Sequence, residues 1–407
     1  MGWAGAAGRH RVTGTSSPGP GCAGRRAGLA SWSSKRFESS DVALVKISDV
    51  ARHADVSPST VSYVLSGKRS ISEQTRRRVL ASIATLGYRP HAGARALASS
   101  RSNVIALVVP LRSGIYVPVL MQFVVSVVTA ARGHDHDVLL LTQDEGVEGL
   151  RRVSGSALVD AIIVMDVETR DTMLPVLRSL RRPAVLIGFP ADSADLTCID
   201  LDFEAAGKAS AEHLAEAGCQ EVALIGAPPE VYQRGTSFAQ RTQAGFERAA
   251  RGRGLRPVTW PCDPAPGAVR ATVRKLLQQR PGLDGVLVHN ESALGALLDS
   301  LRAAGRRIGD DLAVLAICPD DLAEQATPAL TSIDIPADEV GARAVALLMA
   351  KLAGEPVPRA TLLPPRLTVR ASTARVSTGL ASAGLAGTHG PDRQPTAQGG
   401  CDDQRLY

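Results

Sequence analysis

Residues 47–65 of the 407-residue chain read ISDVARHADVSPSTVSYVL. Apolar residues recur there at helical spacing, which predicts two short helices that share a small core. Asp55 tolerates the left-handed backbone conformation that a tight turn between helices needs. Ser57 is a good N-cap, and Pro58 suits the first position of a helix, where its missing N–H has no intrahelical partner to lose. The predicted core consists of Val50, Ala51, Ala54, Val56, Val61, Val64 and Leu65.

The second predicted helix leaves small polar and aromatic side chains on its outer face. Pro58, Ser59, Ser62 and Tyr63 all fall on that face. An outer face of this kind, on a helix that follows a tight turn, is the layout of a helix-turn-helix motif. Such a motif places its second helix in the major groove of DNA.

A third helix is predicted shortly after this pair. Ser72 is a suitable N-cap, and Gly87 is a typical terminator because glycine adopts the left-handed conformation without strain. Residues 87–98 then read GYRPHAGARALA and lead into a strand-like run at 104–110. The apolar face of the third helix comprises Val79, Leu80, Ile83 and Leu86.

Charge is distributed unevenly along the chain. Residues 45–101 contain 10 lysines and arginines against 3 aspartates and glutamates, whereas residues 102–370 contain 27 against 32. A basic amino-terminal unit on a slightly acidic body suits a DNA-binding head on a ligand-binding core, because phosphate neutralisation needs local positive charge. The alternative interpretation is a solvated basic helix face, with Arg76, Arg77 and Arg78 as the obvious candidate.

The order of these motifs resembles the lactose-repressor (LacI/GalR) family of bacterial transcription regulators. In that family Asp-Val-Ala, Val-Ser-x-x-Thr-Val-Ser, Leu-Gly-Tyr-x-Pro and Ala-Arg-x-Leu follow one another, the last as a hinge. The same motifs stand here at residues 49–51, 56–62, 86–90 and 94–97. The resemblance covers residues 45–373.

The resemblance implies a fold in two parts. A small all-α helix-turn-helix head would occupy residues 45–90, and a hinge helix residues 91–101. An α/β core with two lobes, like that of periplasmic sugar-binding proteins, would follow at residues 102–373. The pattern of this core agrees, because short apolar runs alternate with amphipathic segments and predict parallel sheets flanked by helices. We expect lobes at about 102–195 and about 196–318, with the remaining chain crossing back between them.

The resemblance assigns the base-reading positions of the head to Pro58, Ser59 and Tyr63. Many family members carry arginine where Tyr63 stands, and arginine reaches guanine with two hydrogen bonds. Tyr63 would instead offer one hydroxyl and an apolar contact to a thymine methyl group; the alternative is that its ring packs against the core of the head. Short hydroxyls suited to phosphate contacts, which fix register but carry no sequence information, are those of Ser57, Thr60 and Ser62.

The hinge, by the same resemblance, becomes a short helix only on operator DNA. Leu97 stands where the family inserts a leucine from each subunit into the minor groove, which kinks the duplex. Ala94 and Ala98 allow two hinge helices to approach closely. Gly93 weakens the isolated helix. His91 replaces the asparagine that the family usually has at this point of its DNA-binding surface.

A cleft between two sheet lobes is the default ligand site in such a core. The resemblance implies a small effector there, a sugar or related metabolite such as a nucleobase, but the chain departs from the family pattern at Gly188, Thr242 and Cys318. Two interpretations stay open: polar side chains at the strand ends bind an effector, or Arg241 and Asp320 are surface residues and the pocket has lost effector binding. The candidate effector-binding residues are Tyr116, Arg241, His289, Asn290, Glu291 and Asp320.

Residues 1–44 and 374–407 are rich in small and polar residues and lack apolar periodicity, so we expect both segments to be disordered. We interpret much of the first as an overlong gene model, because the motifs begin only near residue 45. Six scattered cysteines without a CxxC pair argue against a zinc site or a disulfide framework. No membrane span or signal peptide is recognisable. We expect a cytoplasmic, nucleoid-associated protein without cofactor or metal.

These observations favour a sequence-specific transcriptional regulator, expected to act as a homodimeric repressor. Each head would read one half of a palindromic operator, and an effector would change lobe closure and hinge pairing. The alternative is an effector-independent DNA-binding regulator with a degenerate pocket. An enzyme built on the same lobes finds no support, because no arrangement of nucleophile, base and acid is recognisable in the sequence. A transport-type binding protein finds none because no secretion signal is recognisable.

Overall fold

A computed structural model describes residues 45–66, 69–88, 101–109, 111–112, 115–142, 146–155, 158–180 and 182–374. Its amino-terminal part is the small all-α head. Three helices pack there around Val50, Val61 and Val79, which are fully buried, and around Tyr88. These helices are α1 (Ile47–His53), α2 (Pro58–Ser66) and α3 (Glu73–Leu86).

The ends of the head helices follow the predicted local chemistry. Asp55 turns the chain between α1 and α2 with a φ of 52°, in the left-handed region. Ser72 caps α3 by accepting a hydrogen bond from the backbone N–H of Thr75 at 3.3 Å. Gly87 ends the same helix with a φ of 61°. The predictions for this turn, this cap and this terminator are confirmed.

Two leucines expected on the apolar side of the head helices lie outside its core. Leu65 is 40% exposed and Leu80 is 46% exposed. Each directly follows an inward-facing valine, Val64 in α2 and Val79 in α3. Because one step along a helix turns the side chain by about 100°, the residue after an inward-facing valine points away from the core. The prediction is wrong for both leucines.

The core consists of two lobes, each built on a six-stranded sheet. In lobe 1 every strand pairing is parallel. Apolar clusters lie on both faces of this sheet, which is why its strands read as continuous apolar runs. In spatial order the strands are β11 (Ala360–Leu363), β5 (Cys198–Leu201), β4 (Ala184–Ile187), β3 (Ala161–Val164), β1 (Val104–Val108) and β2 (Asp137–Leu141). The helices are α4 (Val117–Arg132), α5 (Gly146–Gly155), α6 (Leu174–Ser179) and α13 (Ala337–Ala353).

Lobe 2 repeats this architecture. Its sheet is parallel except for the short final strand, which pairs antiparallel with its neighbour. In spatial order the strands are β12 (Leu367–Thr368), β10 (Thr331–Ile333), β9 (Ala313–Ile317), β8 (Gly285–Val288), β6 (Glu221–Gly226) and β7 (Arg256–Pro261). The helices are α7 (Phe203–Glu216), α8 (Pro229–Arg234), α9 (Ser237–Gly252), α10 (Pro266–Gln279), α11 (Glu291–Ala303) and α12 (Asp320–Gln325). The predicted two-lobed α/β core is confirmed.

Within the described residues the chain passes between the lobes at Asp202, at residues 334–336 and at residues 364–366. The first passage corrects the boundary expected near residue 195. The strand β5 belongs to lobe 1, because Cys198 pairs with Leu186 on one side and with Ala360 on the other. The boundary was placed too early because the short loop before β5 carries no signal of a change of lobe.

Two glycines set how closely α7 and α9 approach each other. A Cβ atom on Gly207 would overlap the carbonyl oxygen of Thr242, and one on Gly245 would overlap that of Glu204. Only glycine therefore fits at this crossing. The tight packing fixes α9, and with it the ring of Phe238 beside the space between the lobes. No helix within the described ranges is long and apolar enough to cross a membrane.

Candidate DNA-binding surface and inter-lobe cleft

The start of α2 carries a cluster of hydroxyl groups. The Oγ of Ser57 accepts a hydrogen bond from the backbone N–H of Thr60 at 3.2 Å. The same oxygen lies 2.9 Å from the Thr60 hydroxyl and 3.1 Å from the Ser59 hydroxyl. Pro58 is exposed beside them, and Ser62 is half-buried further along the helix. The start of a helix favours phosphate, because its backbone N–H groups and its dipole both attract an anion.

Tyr63 follows one turn later on α2 and is half-buried. Its ring is not part of the apolar cluster that the described residues of the head form. The guanidinium of Arg69 lies over this ring, 5.7 Å from its centroid. Tyr63 thus contacts an exposed cation, which supports the predicted DNA-facing role more than packing in the core.

The basic residues of the head do not all serve the same purpose. Arg78 donates a hydrogen bond to the backbone carbonyl of Asp55 at 3.2 Å and so ties α3 to the turn. Arg52 pairs with Asp49 at 3.2 Å, and its side chain is 78% exposed. Because exposed pairs contribute little free energy, Arg52 can exchange its partner for a phosphate. The structural role of Arg78 was not foreseen from the basic run alone.

The predicted hinge contacts lie in a stretch of chain that the structure does not describe. The described part of the head ends at Tyr88, and the described core begins at Arg101. The DNA-binding role of the hinge therefore stays a prediction. Its four candidate residues are His91, Ala94, Leu97 and Ala98.

A cavity of about 150 Å³ lies between the lobes. Lobe 1 lines it with α4 and with the carboxyl ends of β3 and β4, and lobe 2 lines it with α8 and with the starts of α9 and α11. Crevices at the carboxyl ends of parallel strands are the usual position of ligand sites in open α/β sheets. Of the predicted effector-binding residues, four line the cavity: Tyr116, His289, Asn290 and Glu291.

Arg241 lies beside the cavity rather than in its lining. Its guanidinium pairs with the carboxylate of Asp200 at 3.0 Å and with that of Asp202 at 3.4 Å. It also lies over the ring of Phe189, 5.2 Å from the centroid. Asp200 itself lines the cavity, so Arg241 acts on the cleft through this carboxylate. Asp202 additionally caps α7 by accepting a hydrogen bond from the backbone N–H of Ala205 at 3.1 Å.

Asp320 is not among the residues that line the cavity. Its carboxylate accepts a hydrogen bond from the Ser332 hydroxyl at 2.7 Å and pairs with Arg370 at 3.2 Å. These partners, on β10 and on the chain after β12, hold the acid within lobe 2. The prediction that Asp320 belongs to the pocket is therefore wrong, and its position just after a strand was a misleading signal.

Asn290 lines the cavity, but its amide is engaged within lobe 2. The Nδ2 group donates hydrogen bonds to the carbonyl oxygens of Gly226 at 3.0 Å and Cys262 at 2.8 Å. Its Oδ1 accepts from the backbone N–H of Ala293 at 3.2 Å and so caps α11. Asn290 therefore joins β6, β8 and the chain after β7, which is a structural role that its sequence position did not reveal.

Three aromatic rings form a cluster at the cavity wall. The centroids of Phe203, Phe238 and His289 lie 5.4–5.7 Å from one another. His289 is 3% exposed, and its Nδ1 has no hydrogen-bond partner among the described residues. Burial lowers the pKa of His289 to about 4. The ring is therefore neutral near pH 7 and offers one acceptor nitrogen.

Buried carboxyl groups surround this aromatic cluster. Asp166 pairs with Arg112 of lobe 1 at 3.4 Å and with Arg234 of lobe 2 at 3.9 Å. Burial nevertheless raises the pKa of Asp166 to about 6, because desolvation outweighs the two arginines. Burial also raises the pKa of Asp200 to about 7 and that of Glu291 to about 7. The sequence reasoning missed Asp166, although an acid directly after a buried strand was an available signal.

The two lobes are joined at the edge of the cleft by backbone hydrogen bonds. The N–H of Thr169 donates to the carbonyl of Gly235 at 2.8 Å, and the N–H of Ser237 donates to the carbonyl of Val167 at 3.1 Å. The Thr169 hydroxyl also donates to Gln240 at 2.6 Å. Among the described residues, no group of three or more His, Cys, Asp or Glu side chains is placed to hold a metal ion.

Comparison with known proteins identifies both parts of the chain. Residues 46–91 match the family model described as "Bacterial regulatory proteins, lacI family", and residues 211–373 match the one described as "Periplasmic binding protein-like domain". The chain belongs to the LacI family. This LacI-family protein is accordingly a DNA-binding transcriptional regulator, with the head as its DNA-binding domain.

The matches between this LacI-family chain and similar proteins extend over almost the whole length of those proteins. The ribose operon repressor of Halalkalibacterium halodurans is 27% identical over 336 residues, which are 81% of this chain and 97% of that relative. The solved complex of the transcriptional regulator CelR with cellobiose is 27% identical with a TM-score of 0.58 and covers 81% of this chain and 99% of its own. The lac repressor dimer bound to operator and the anti-inducer ONPF shares the fold, with a TM-score of 0.69 at 24% identity and coverage of 81% and 99%.

Proposed function

We propose that the protein is a homodimeric transcriptional repressor that binds a palindromic operator and changes its operator affinity when a small molecule occupies the inter-lobe cleft. The observation that carries the proposal is the presence, in one chain, of an accessible recognition helix and of a cavity between two lobes. The similar ribose operon repressor, and the lac repressor dimer bound to its operator, support it.

An apolar stripe on lobe 1 supports the dimer. Val117, Met121, Val125 and Val128 follow one another on α4 at spacings of four and three residues, and each is 38–58% exposed. Leu140, on the edge strand β2, is 40% exposed. An exposed apolar stripe on a helix lacks the partner that would bury it, and a second copy of the chain supplies one. A symmetric dimer would present two heads to two half-sites.

An effector in the cleft would act through the arrangement of the lobes. Residues of both lobes line the cavity, so a bound molecule stabilises one lobe arrangement relative to others. Because the coupling between two sites is reciprocal, operator DNA then changes effector affinity by the same factor. A regulator of this kind acts on the chromosome, and we expect to find the protein at the nucleoid.

Genome-wide footprinting of the full-length protein, followed by binding to the recovered sites, tests this function. We expect a palindromic site, two protomers for each site and an operator affinity that falls steeply with salt. Equal affinity for the recovered site and for a scrambled duplex would overturn the proposal. A panel of metabolites then tests the response: if none changes operator affinity, the regulator is effector-independent.

The dimer has its own test in a matched pair of variants. Val125→Lys places a charge in the apolar stripe and should shift the protein from dimer towards monomer in sedimentation velocity. Val369→Lys is the control, because Val369 is 61% exposed and lies outside α4. A Val125→Lys protein that stays dimeric would show that the stripe is not the interface.

A further inference from the structure

We propose that the effector of this protein is a small organic cation, an apolar molecule about the size of one aromatic ring that carries a protonated amine. The inference rests on the proposed effector-responsive function and specifies the ligand class for the same cleft. Three features carry it. The cavity walls are mainly apolar and aromatic, several of the polar side chains around the cavity are engaged by other groups of the protein, and one half-buried carboxyl, that of Glu291, has no cationic partner among the described residues.

The walls concentrate the few aromatic rings of the chain. The sequence has six phenylalanines, and three of them, Phe123, Phe203 and Phe238, line this one cavity. Tyr116 contributes a fourth ring, and aliphatic side chains such as Ile187 fill the space between them. Apolar walls favour an apolar ligand body. The faces of aromatic rings attract a cation, most strongly where water is excluded.

The volume of the cavity indicates how large a ligand fits inside it. It measures about 150 Å³ at the present lobe arrangement. An apolar cavity of about 150 Å³ engineered in another protein binds benzene. A single ring with a short substituent therefore matches the space, and a disaccharide exceeds it.

The polar side chains of the cleft offer little to a sugar. The amide of Asn290 is used within lobe 2. Asp200 faces Arg241, and Asp166 faces an arginine from each lobe. A sugar hydroxyl that is buried without a hydrogen-bond partner loses its hydration without compensation. A ligand with many hydroxyls would leave several of them in this position, so the cavity disfavours it.

Glu291 differs from the other acids of the cleft. It occupies the first turn of α11 and lines the cavity, and no described cation pairs with it. Burial raises the pKa of its carboxyl to about 7. The pKa of the Tyr116 phenol, in lobe 1, is raised first by burial and next by the negative charge of the Glu291 carboxylate. The two side chains therefore lie near each other across the cavity. A ligand ammonium group between the two walls would provide the missing counter-charge.

His289 adds a second acceptor to the same wall. It lines the cavity two residues before Glu291, and its Nδ1 is buried without a partner in the described part of the chain. The neutral imidazole accepts a hydrogen bond from an ammonium group and does not repel it, as an imidazolium would. The two flanking rings, Phe203 and Phe238, extend the same environment. Carboxylate, imidazole and aromatic rings of this wall together form a site for a cation, while Arg234, which also lines the cavity, is paired with Asp166 at 3.9 Å.

Calorimetry of the full-length protein with three probes tests the ligand class. Benzylamine and benzyl alcohol share a ring and a shape and differ in charge, while ribose represents a polyhydroxylated ligand. We expect benzylamine to bind at least about tenfold more tightly than benzyl alcohol, and ribose to bind more weakly than either. Equal affinity for the first two probes, or tighter binding of ribose, would overturn the inference.

A matched pair of variants locates the cation. Glu291→Gln keeps the shape of the side chain and should abolish the preference for benzylamine over benzyl alcohol. Glu355→Gln alters an exposed acid beyond the end of α13 and should leave the preference intact. A preference that survives in Glu291→Gln would overturn the assignment. If that variant does not fold, the comparison of the probes on the parent protein still decides the ligand class.

The failure of this inference can be told apart from that of the proposed function. Operator binding is measured on the same preparation without any probe. Loss of sequence-specific operator binding refutes the proposed function. Intact operator binding without a preference for benzylamine refutes only the ligand class.

Discussion

The head and the inter-lobe cleft use their polar side chains in opposite ways. In the head, Ser57 and Ser59 hold their hydroxyls exposed at the start of a helix, where a phosphate would meet them. In the cleft, the amide of Asn290 and the carboxylates of Asp166 and Asp200 are engaged by other groups of the protein. The head offers its polar groups to a partner, whereas the cleft uses several of its own within lobe 2 or between the lobes.

This difference decides how far each ligand can be inferred. The head is built from contacts a few residues apart, so the spacing of hydroxyls and apolar residues already indicates DNA. The availability of a polar group in the cleft depends on partners far away in sequence, as between Asn290 and Gly226. The chemistry of the cleft becomes visible only once the partners are known.

The largest effect is expected at the hinge, where a substitution tests whether the amino-terminal part of the chain binds DNA as proposed. Leu97→Ala should weaken operator binding by about 100-fold, because a duplex without the leucine wedge stays straight and loses the wider interface that the kink permits. Fluorescence anisotropy with operator DNA measures the change. Leu158→Ala, at an exposed leucine of lobe 1, is the control, and unchanged thermal unfolding would show that the core stays intact. Operator binding that is as tight as in the parent would refute the hinge assignment.

On the side of the cleft, Asn290→Ala should lower the free energy of unfolding by about 2–3 kcal/mol, because two buried carbonyl oxygens lose their donor. The folded variant should keep its operator affinity. Urea unfolding measures the loss, with Ser292→Ala at the neighbouring exposed position as the control. A loss no larger than in the control would mean that the amide is free for a ligand after all, and the contrast between the two regions would disappear.

A smaller effect, with a defined pH dependence, is expected for Glu291→Gln. Burial raises the pKa of Glu291 to about 7, so the parent gains no stability from this carboxyl at low pH and is destabilised as the pH rises and the group ionises. The variant should match the parent at about pH 4, below the ordinary pKa of 4.5, and exceed its free energy of unfolding by about 2 kcal/mol at about pH 8. Urea unfolding at both pH values checks this. The same difference at both would show that ionisation is not its cause.

The smallest effect is expected for Tyr63→Phe. Removing the hydroxyl while keeping the ring under Arg69 should lower operator affinity by about threefold, the value of one hydrogen bond at an accessible position. Competition binding with the operator and its single-base variants detects it. Tyr88→Phe, in the buried core of the head, is the matched control. An operator affinity of Tyr63→Phe equal to that of the parent would mean that the hydroxyl of Tyr63 does not contact DNA.

Local chemistry was readable from the sequence wherever the partners are close neighbours. The Ser72 cap and the Gly87 terminator rest on interactions within one helix turn, and both are present. The strands that are buried on both faces were recognisable as apolar runs, because helices cover their sheets. The edge strand β7 has no such signal in the sequence, because Pro257 and Pro261 interrupt its apolar pattern; proline within a sheet is found mainly on edge strands.

Tertiary partners limited the prediction of the candidate site. Tyr116, His289 and Glu291 were found because they lie at the ends of elements that face the cleft. Asp320 was assigned to the pocket wrongly because its ion pair with Arg370, a residue remote in sequence, cannot be predicted from the strand that precedes Asp320. The arginines that flank Asp166 come from different lobes, so this charge arrangement has no local signature.

The glycine crossing of α7 and α9 has a consequence for how a signal could pass through the molecule. The backbones of α7 and α9 are in contact at Gly207 and Gly245, so the two helices have no room to slide past each other. We therefore expect α7 and α9 to move together as one rigid unit. Any reorientation of the lobes must be absorbed by torsion in the passages at Asp202, 334–336 and 364–366. Substitutions at Asp202 or at residues 364–366, which do not line the cavity, would change the amplitude of switching while leaving the effector contacts untouched.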